Sequence, residues 1–90
     1  MIPVKEAVKV AMQFLAETFE GETLLQPRLE EIEPSDDGTY WYVTVSFFRG
    51  LPPAAFADYV SGTSEGREYK TITVDANNGT VRSVKIRQLT

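Results

Sequence analysis

Residues 68–87 read EYKTITVDANNGTVRSVKIR, and this stretch decides the fold of the chain. Two segments in which apolar and polar residues alternate flank residues 75–80, DANNGT. Alternation is the period of a half-buried strand, and Asp, Asn and Gly tolerate the left-handed backbone angles that tight turns use. The stretch therefore predicts a β-hairpin near the carboxyl end of the chain.

A helical pattern occupies the opposite end of the chain, from Pro3 to about Glu20. Apolar residues recur there at steps of three and four, which is the spacing of one helix face. They are Val4, Ala7, Val8, Ala11, Met12, Leu15 and Phe19. Pro3 suits the first helical turn and Gly21 suits a helix end. We expect this helix to cover a sheet.

Two further strands are expected between the helix and the hairpin. Residues 39–49 alternate strictly, with one set of side chains directed at the core and the other at water. The core set is Trp41, Val43, Val45 and Phe47, and the water set is Tyr40, Tyr42, Thr44, Ser46 and Phe48. Residues 28–33 alternate poorly and follow Pro27, which indicates an edge strand or a bulge. Residues 34–38, PSDDG, predict the turn between these strands.

These elements predict one α+β domain over residues 1–90. Its N-terminal helix packs on a four-stranded antiparallel sheet, so that the helix is followed by two β-hairpins. The inward face continues through Ile72, Val74, Val84 and Ile86, and the opposite face meets water. Residues 50–67, GLPPAAFADYVSGTSEGR, exclude a central strand and predict a loop, with one or two helical turns over 54–60.

The composition narrows the classes of function. The chain has 13 acidic and 9 basic side chains, a net charge of −4, no histidine and no cysteine. Without these two residues there is no disulfide, no thiolate or imidazole metal ligand, and no histidine general base. We therefore expect a protein that is not an enzyme and holds no metal or cofactor. The negative charge also argues against a nucleic-acid or membrane partner.

The sequence carries no segment typical of membrane insertion. Its longest apolar runs are shorter than a membrane span, and Lys5, Glu6 and Lys9 interrupt the region where a signal peptide needs apolar residues. We expect a cytoplasmic protein. A mature fragment of an exported protein remains the alternative.

The water-facing side of the predicted sheet is the first candidate site. Large aromatic side chains lie there beside basic ones, a mixture that is common in protein interfaces. The candidate residues are Tyr40, Tyr42, Phe48, Tyr69, Lys85 and Arg87. The simpler interpretation is that aromatic cross-strand pairs only stabilise the sheet. Stacking of RNA bases on these rings is disfavoured by the net charge and by the single predicted helix.

Residues 50–67 provide a second candidate site, carried by Phe56 and Tyr59 next to Pro52 and Pro53. Prolines preorganise an exposed segment and so lower the entropy cost of binding. The alternative is a flap whose two aromatic rings close one end of the core, because a small domain needs all its large apolar groups.

An acidic cluster lies on the poorly alternating strand and its turn. It consists of Glu30, Glu31, Glu33, Asp36 and Asp37. Calcium binds carboxylate oxygens, but the spacing fits no EF-hand loop. We expect a solvated, charged sheet edge that discourages aggregation.

The order of elements, together with Tyr69-x-x-Ile72-x-Val74-Asp75-Ala76-x-x-Gly79-x-Val81, resembles PepSY-type domains and the wider cystatin-like group. The motif covers about the last 20 residues, and the rest of the chain matches in element order. The resemblance implies a non-enzymatic binding or inhibitory module, and it provides no catalytic residues to transfer.

We therefore expect a binding or inhibitory module that recognises a protein partner or forms a homodimer. A small-ligand or carbohydrate-binding domain that uses the concavity between helix and sheet is the alternative.

Overall fold

The fold is one helix packed on a four-stranded antiparallel sheet, as seen in a computed structural model that describes residues 1–19, 24–49 and 67–87. The elements are α1 (Val4–Thr18), β1 (Leu24–Pro34), β2 (Tyr40–Arg49), β3 (Glu68–Asp75) and β4 (Val81–Ile86). The strands lie in the order β1-β2-β3-β4, so each strand pairs with its neighbours in the chain. The predicted α+β class is confirmed. The predicted loop residues Phe56 and Tyr59 lie outside the described residues.

Asp75, the last residue of β3, holds the turn of the β3–β4 hairpin together. The Asp75 carboxylate accepts hydrogen bonds from the backbone amides of Asn77 (2.8 Å) and Asn78 (3.2 Å), and its carbonyl accepts one from the Gly79 amide. Gly79 has a left-handed φ of 73°, whereas Asn77 and Asn78 do not have positive φ. The backbone amides of the two asparagines thus donate to the Asp75 side chain in an Asx turn. Within this turn only Gly79 adopts the left-handed conformation.

Helix α1 packs on the sheet through the apolar face that the sequence predicts. Ala7, Ala11 and Leu15 are buried against β2 and β3, and Phe19 contacts Phe47 with ring centroids 5.8 Å apart. The core is completed by Val43, Val45, Ile72 and Val74. Two residues predicted for this core are exposed: Val4 by 42 % and Ile86 by 74 %. Val4 begins the helix and Ile86 ends the edge strand β4, so each lies at the margin of the helix–sheet contact.

The residues before α1 join it to both hairpin turns. The Ile2 amide donates to the Ala76 carbonyl at 2.6 Å, and the Ile2 carbonyl accepts from the indole Nε1 of Trp41 at 3.1 Å. The Ala76 amide in turn donates to the Thr39 carbonyl at 2.8 Å. Pro3 follows at the N-cap rather than in the first turn, with φ −70° and ψ 160°. These backbone bonds fix where the helix begins relative to the sheet.

Strand β1 is an edge strand with two irregularities, as its poor alternation predicts. Its register with β2 shifts between Leu25 and Arg28 and again between Leu29 and Glu31. At the first shift Gln26 has a φ of 49°, which is unusual for a residue with a side chain, and Pro27 follows. The strand begins at Leu24, four residues before the predicted start, because the bulge lets it continue past Pro27.

The turn between β1 and β2 is held by Asp37. Its carboxylate accepts hydrogen bonds from the Thr39 amide (2.9 Å) and the Ser35 hydroxyl (2.8 Å), and these bonds lower the pKa of Asp37. Gly38 has the predicted left-handed φ, at 73°.

Candidate functional site

The side of the sheet that points away from α1 forms a continuous surface, which we call the outer face. The strand register places Tyr42 between Glu33 and Thr73, Thr44 between Glu31 and Thr71, and Ser46 between Arg28 and Tyr69. Thr73 and Thr71 pair in turn with Ser83 and Lys85. The alternation predicted from the sequence is therefore confirmed for β2, β3 and β4.

One end of the outer face, which we call the latch end, carries a polar network over a buried ring: Arg28, Glu30, Ser46, Phe48 and Arg67. Ser46, Phe48 and Arg67 are buried, whereas Arg28 and Glu30 are exposed. Arg67 donates from Nη1 to the Ser46 hydroxyl at 2.9 Å and from Nη2 to the Gln26 carbonyl at 3.0 Å. The Ser46 hydroxyl donates to the Glu30 carboxylate. Arg28 Nε completes the network with an ion pair to Glu30 at 2.6 Å.

The burial of Ser46, Phe48 and Arg67 and the pairing of charges within the chain indicate that the latch end has a structural role. Ser46 is fully buried and Phe48 is 1 % exposed, with the Arg67 guanidinium 4.5 Å from the centre of its ring. Hydrogen bonds from Ser46 and Arg28 lower the pKa of Glu30, so its carboxylate stays ionised. Burial lowers the pKa of Arg67, which nevertheless remains a cation because guanidinium is a very weak acid. Ser46 has no access to a substrate, so it is unsuited to act as a nucleophile.

The expectation that the whole outer face meets water is wrong at this end. Thr44, Ser46 and Phe48 are buried, although their alternation matches that of Tyr40 and Tyr42. Short side chains on the central strand β2 leave room above them. Long side chains from β1 and from the residue before β3 fill that room, as Glu30 and Arg67 do. Phe48 therefore lies beneath Arg67, and it leaves the set of accessible binding residues.

Arg87 spans the outer face from one edge of the sheet to the other. It follows β4, and its Nη1 reaches the Thr44 hydroxyl on β2 at 2.9 Å and the Glu31 carboxylate on β1 at 3.2 Å. The Thr44 hydroxyl also lies 3.3 Å from the hydroxyl of Thr71 on β3. Arg87 is one of the predicted binding residues, but in the structure its guanidinium is bonded to Thr44 and Glu31 of the same chain.

The other end of the outer face is open, and we call it the turn end: Tyr40, Tyr42, Thr73 and Ser83. All four side chains are half-buried on adjacent strands near the two hairpin turns. Lys85 is exposed two residues further along β4. Thr73 and Ser83 were missed as site residues, since only the strand register shows that they continue the surface beside Tyr42.

Tyr69 does not join the two other predicted tyrosines. It lies four residues from Thr73 along β3, about 13 Å at the rise of an extended strand. Its neighbour across the strand is Ser46 of the latch end. The predicted aromatic patch is thus divided, with Tyr40 and Tyr42 accessible together, Tyr69 apart from them and Phe48 buried.

Within the part of the chain that the structure describes, open grooves lie on either side of α1. The larger groove, about 350 Å³, lies between α1 and β1 and is lined by Val4, Lys5, Val8, Leu29 and Ile32. The other, about 280 Å³, lies between α1 and the β3–β4 turn. Among the described residues, no group of three acidic side chains is arranged to hold a metal ion, and no helix is long and apolar enough to span a membrane.

Comparison with protein-family models, with curated proteins and with solved structures finds no match for this chain. A functional proposal for it therefore depends on the geometry of the outer face.

Proposed function

We propose that this chain is a non-catalytic binding module that recognises a protein partner, or a second copy of itself, through the turn end. The observation that carries the proposal is the pair Tyr40 and Tyr42, partly exposed on one face of the central strand β2. Tyrosine is enriched in interface centres because it offers large contact area at a low entropy cost.

The surroundings of Tyr42 support this use of the surface. Glu33 and Thr73 flank it on the adjacent strands, and Ser83 follows beyond Thr73. An aromatic centre with small and charged neighbours resembles the apolar core and polar rim of a protein interface. All of these residues lie on paired strands, so little backbone order is lost on binding.

The hydrogen bonds of Arg67 and Arg87 on the same face support a fixed surface rather than a moving one. Arg67 ties β2 to the bulge of β1, and Arg87 ties β2 to Glu31 of β1 from the far edge. The absence of histidine and cysteine from the chain supports the non-catalytic part of the proposal. The resemblance to PepSY-type domains would add an inhibitory role, and that role stays a prediction.

The test begins with the mass of the protein in solution, measured by light scattering up to about millimolar concentration. Self-recognition predicts a rise from 10.1 kDa towards twice that value. Tyr42→Arg should abolish the rise. Gln13→Arg is the matched control, since it adds the same charge at an exposed position of α1.

If the wild-type protein stays a monomer, a photo-crosslinking amino acid is placed at position 42 and, separately, at position 13 in the native cell. An adduct with one protein from position 42 and not from position 13 supports recognition of a partner. A monomer that gives no adduct from position 42 contradicts the proposal in both forms.

A further inference from the structure

The edge of β4 that faces away from β3 carries backbone N–H and C=O groups that form no hydrogen bond with any described strand. Arg87 donates its amide to the Tyr69 carbonyl at 2.9 Å, which makes 69/87, 71/85 and 73/83 the hydrogen-bonded pairs of the β3–β4 ladder. The N–H and C=O groups of Val84 and Ile86 therefore point away from β3. Within residues 1–19, 24–49 and 67–87, no hydrogen bond reaches them.

The side chains along this edge are basic and apolar. Arg82 and Lys85 are exposed, and neither has an acidic partner among the described residues. Ile86 is 74 % exposed, which leaves an aliphatic side chain at the open end of the strand. Residues 81–86 contain no acidic side chain. The edge thus offers two cations without an acidic partner in the described ranges, together with an exposed isoleucine.

The opposite edge of the sheet is built differently. Strand β1 carries Glu30, Glu31 and Glu33, and it is interrupted by Pro27 and by two register shifts. Bulges, proline and charge are the usual means by which proteins prevent a further strand from pairing. In β4 the one register shift lies near Val81, and the pairing from Ser83 to Ile86 is regular. Of the two edges, β4 has the geometry that accepts another strand.

We propose that the β4 edge binds an extended, acidic peptide segment of a partner protein, which adds to the sheet as a fifth strand. Backbone groups of the peptide pair with those of Val84 and Ile86, and carboxylates on one face of the peptide meet Lys85 on the outer face. Arg82, which precedes the outer-facing Ser83, adds to the positive charge of the edge from the other face. Main-chain pairing supplies affinity in this mode of recognition, and the alternate side chains supply specificity. A second copy docked β4 to β4 would bring these basic side chains towards one another, which argues against that occupant.

The β4 edge and the turn end share the strand β4 through Ser83, but the tyrosines that carry the turn-end proposal lie on β2, so the two proposals can fail independently. Tyr42 lies on β2, two strands away from β4. Tyr42→Arg should therefore leave peptide binding at the β4 edge unchanged within about twofold.

The experiment uses a fluorescent heptapeptide of alternating Glu and Val, and the same peptide with Lys in place of Glu. Fluorescence anisotropy gives the dissociation constants. We expect the acidic peptide to bind at least about tenfold more tightly than the basic one, and more weakly as salt is raised. Lys85→Glu should weaken it at least about tenfold, whereas Gln13→Glu on α1 should not.

Ile86→Pro tests the pairing of backbones. Proline removes an N–H that faces solvent, which an edge strand tolerates. We expect about a tenfold loss of acidic-peptide affinity, whereas Ile86→Ala, which keeps the N–H, should lose less than about threefold. Circular dichroism checks that both variants fold. Amide hydrogen exchange of the wild-type protein gives a second measurement: the acidic peptide should slow exchange at Val84 and Ile86.

Three results would overturn the proposal. The first is equal affinity for the acidic and the basic peptide. The second is peptide binding that leaves exchange at Val84 and Ile86 unchanged, which would place the peptide elsewhere. The third is a wild-type dimer that protects these two amides without peptide, which would make a second copy the occupant.

Discussion

The latch end and the turn end of the outer face share the strand β2, the same alternation and aromatic residues, yet they differ in exposure. Phe48 is 1 % exposed at the latch end, whereas Tyr40 and Tyr42 are partly exposed at the turn end. The difference comes from neighbouring strands. Arg67 lies over Phe48, while Tyr42 has Glu33 and Thr73 beside it.

This comparison shows that one sheet face can carry both a structural network and an accessible surface. The buried polar groups of the latch end are satisfied by one another, which limits the cost of burying them. The turn end has no such network among the described residues, and its aromatic area remains available for contact. Changes at the two ends should therefore separate stability from binding.

The largest expected contrast is between Phe48→Ala and Tyr42→Ala. We expect Phe48→Ala to lower the free energy of unfolding by about 3 to 5 kcal/mol, because a buried ring leaves a cavity. Tyr42→Ala should cost about 1 kcal/mol, as is typical of point substitutions. Urea denaturation followed by circular dichroism measures both values. Equal losses would mean that the two ends do not differ in their contribution to stability.

A smaller effect is expected for Arg67→Met. This change keeps most of the side-chain volume but removes the donors to Ser46 and to the Gln26 carbonyl. We expect a loss of about 1.5 to 3 kcal/mol, the range for hydrogen bonds that involve a charged group. Arg82→Met, at an exposed position of β4, should change the stability by less than about 0.5 kcal/mol. A similar small loss for Arg67→Met would show that the latch end does not stabilise the fold.

The smallest effect is expected for Glu30→Gln, and it depends on pH. The folded-state pKa of Glu30 is lowered, so its carboxylate stabilises the fold above the unfolded pKa of about 4.3. That stabilisation is lost as the pH falls through the folded pKa. Glu30→Gln should cost about 1 kcal/mol at pH 7 and flatten the decline in stability below about pH 5.

Urea titrations from pH 7 to pH 2 measure this dependence. The Asp37 carboxylate has a lowered pKa of the same sign and remains in the variant, so part of the decline should persist. Glu33→Gln is the control, because its side chain is exposed and has no hydrogen-bond partner among the described residues. A decline for Glu30→Gln as steep as that of the control would contradict the role given to Glu30.

Local chemistry explains why most of the fold was predictable. The turn at residues 75–80 and the strict alternation of β2 depend on residues close together in the sequence, and both were confirmed. The start of β1 was missed because the bulge at Gln26 has no glycine to mark it. Of the candidate site, the outward direction of Tyr40, Tyr42, Tyr69 and Lys85 was predictable, but the burial of Phe48 was not.

The sequence by itself determined the helix, the existence of the four strands, their turns and the faces of the residues in β2, β3 and β4, because these depend on periodicity and on turn residues. The tertiary structure decided which part of the outer face is covered. Arg67 meets Ser46 across 21 positions, and Arg87 meets Glu31 across 56. Contacts between residues so far apart follow from strand register and side-chain length, and no local pattern encodes them.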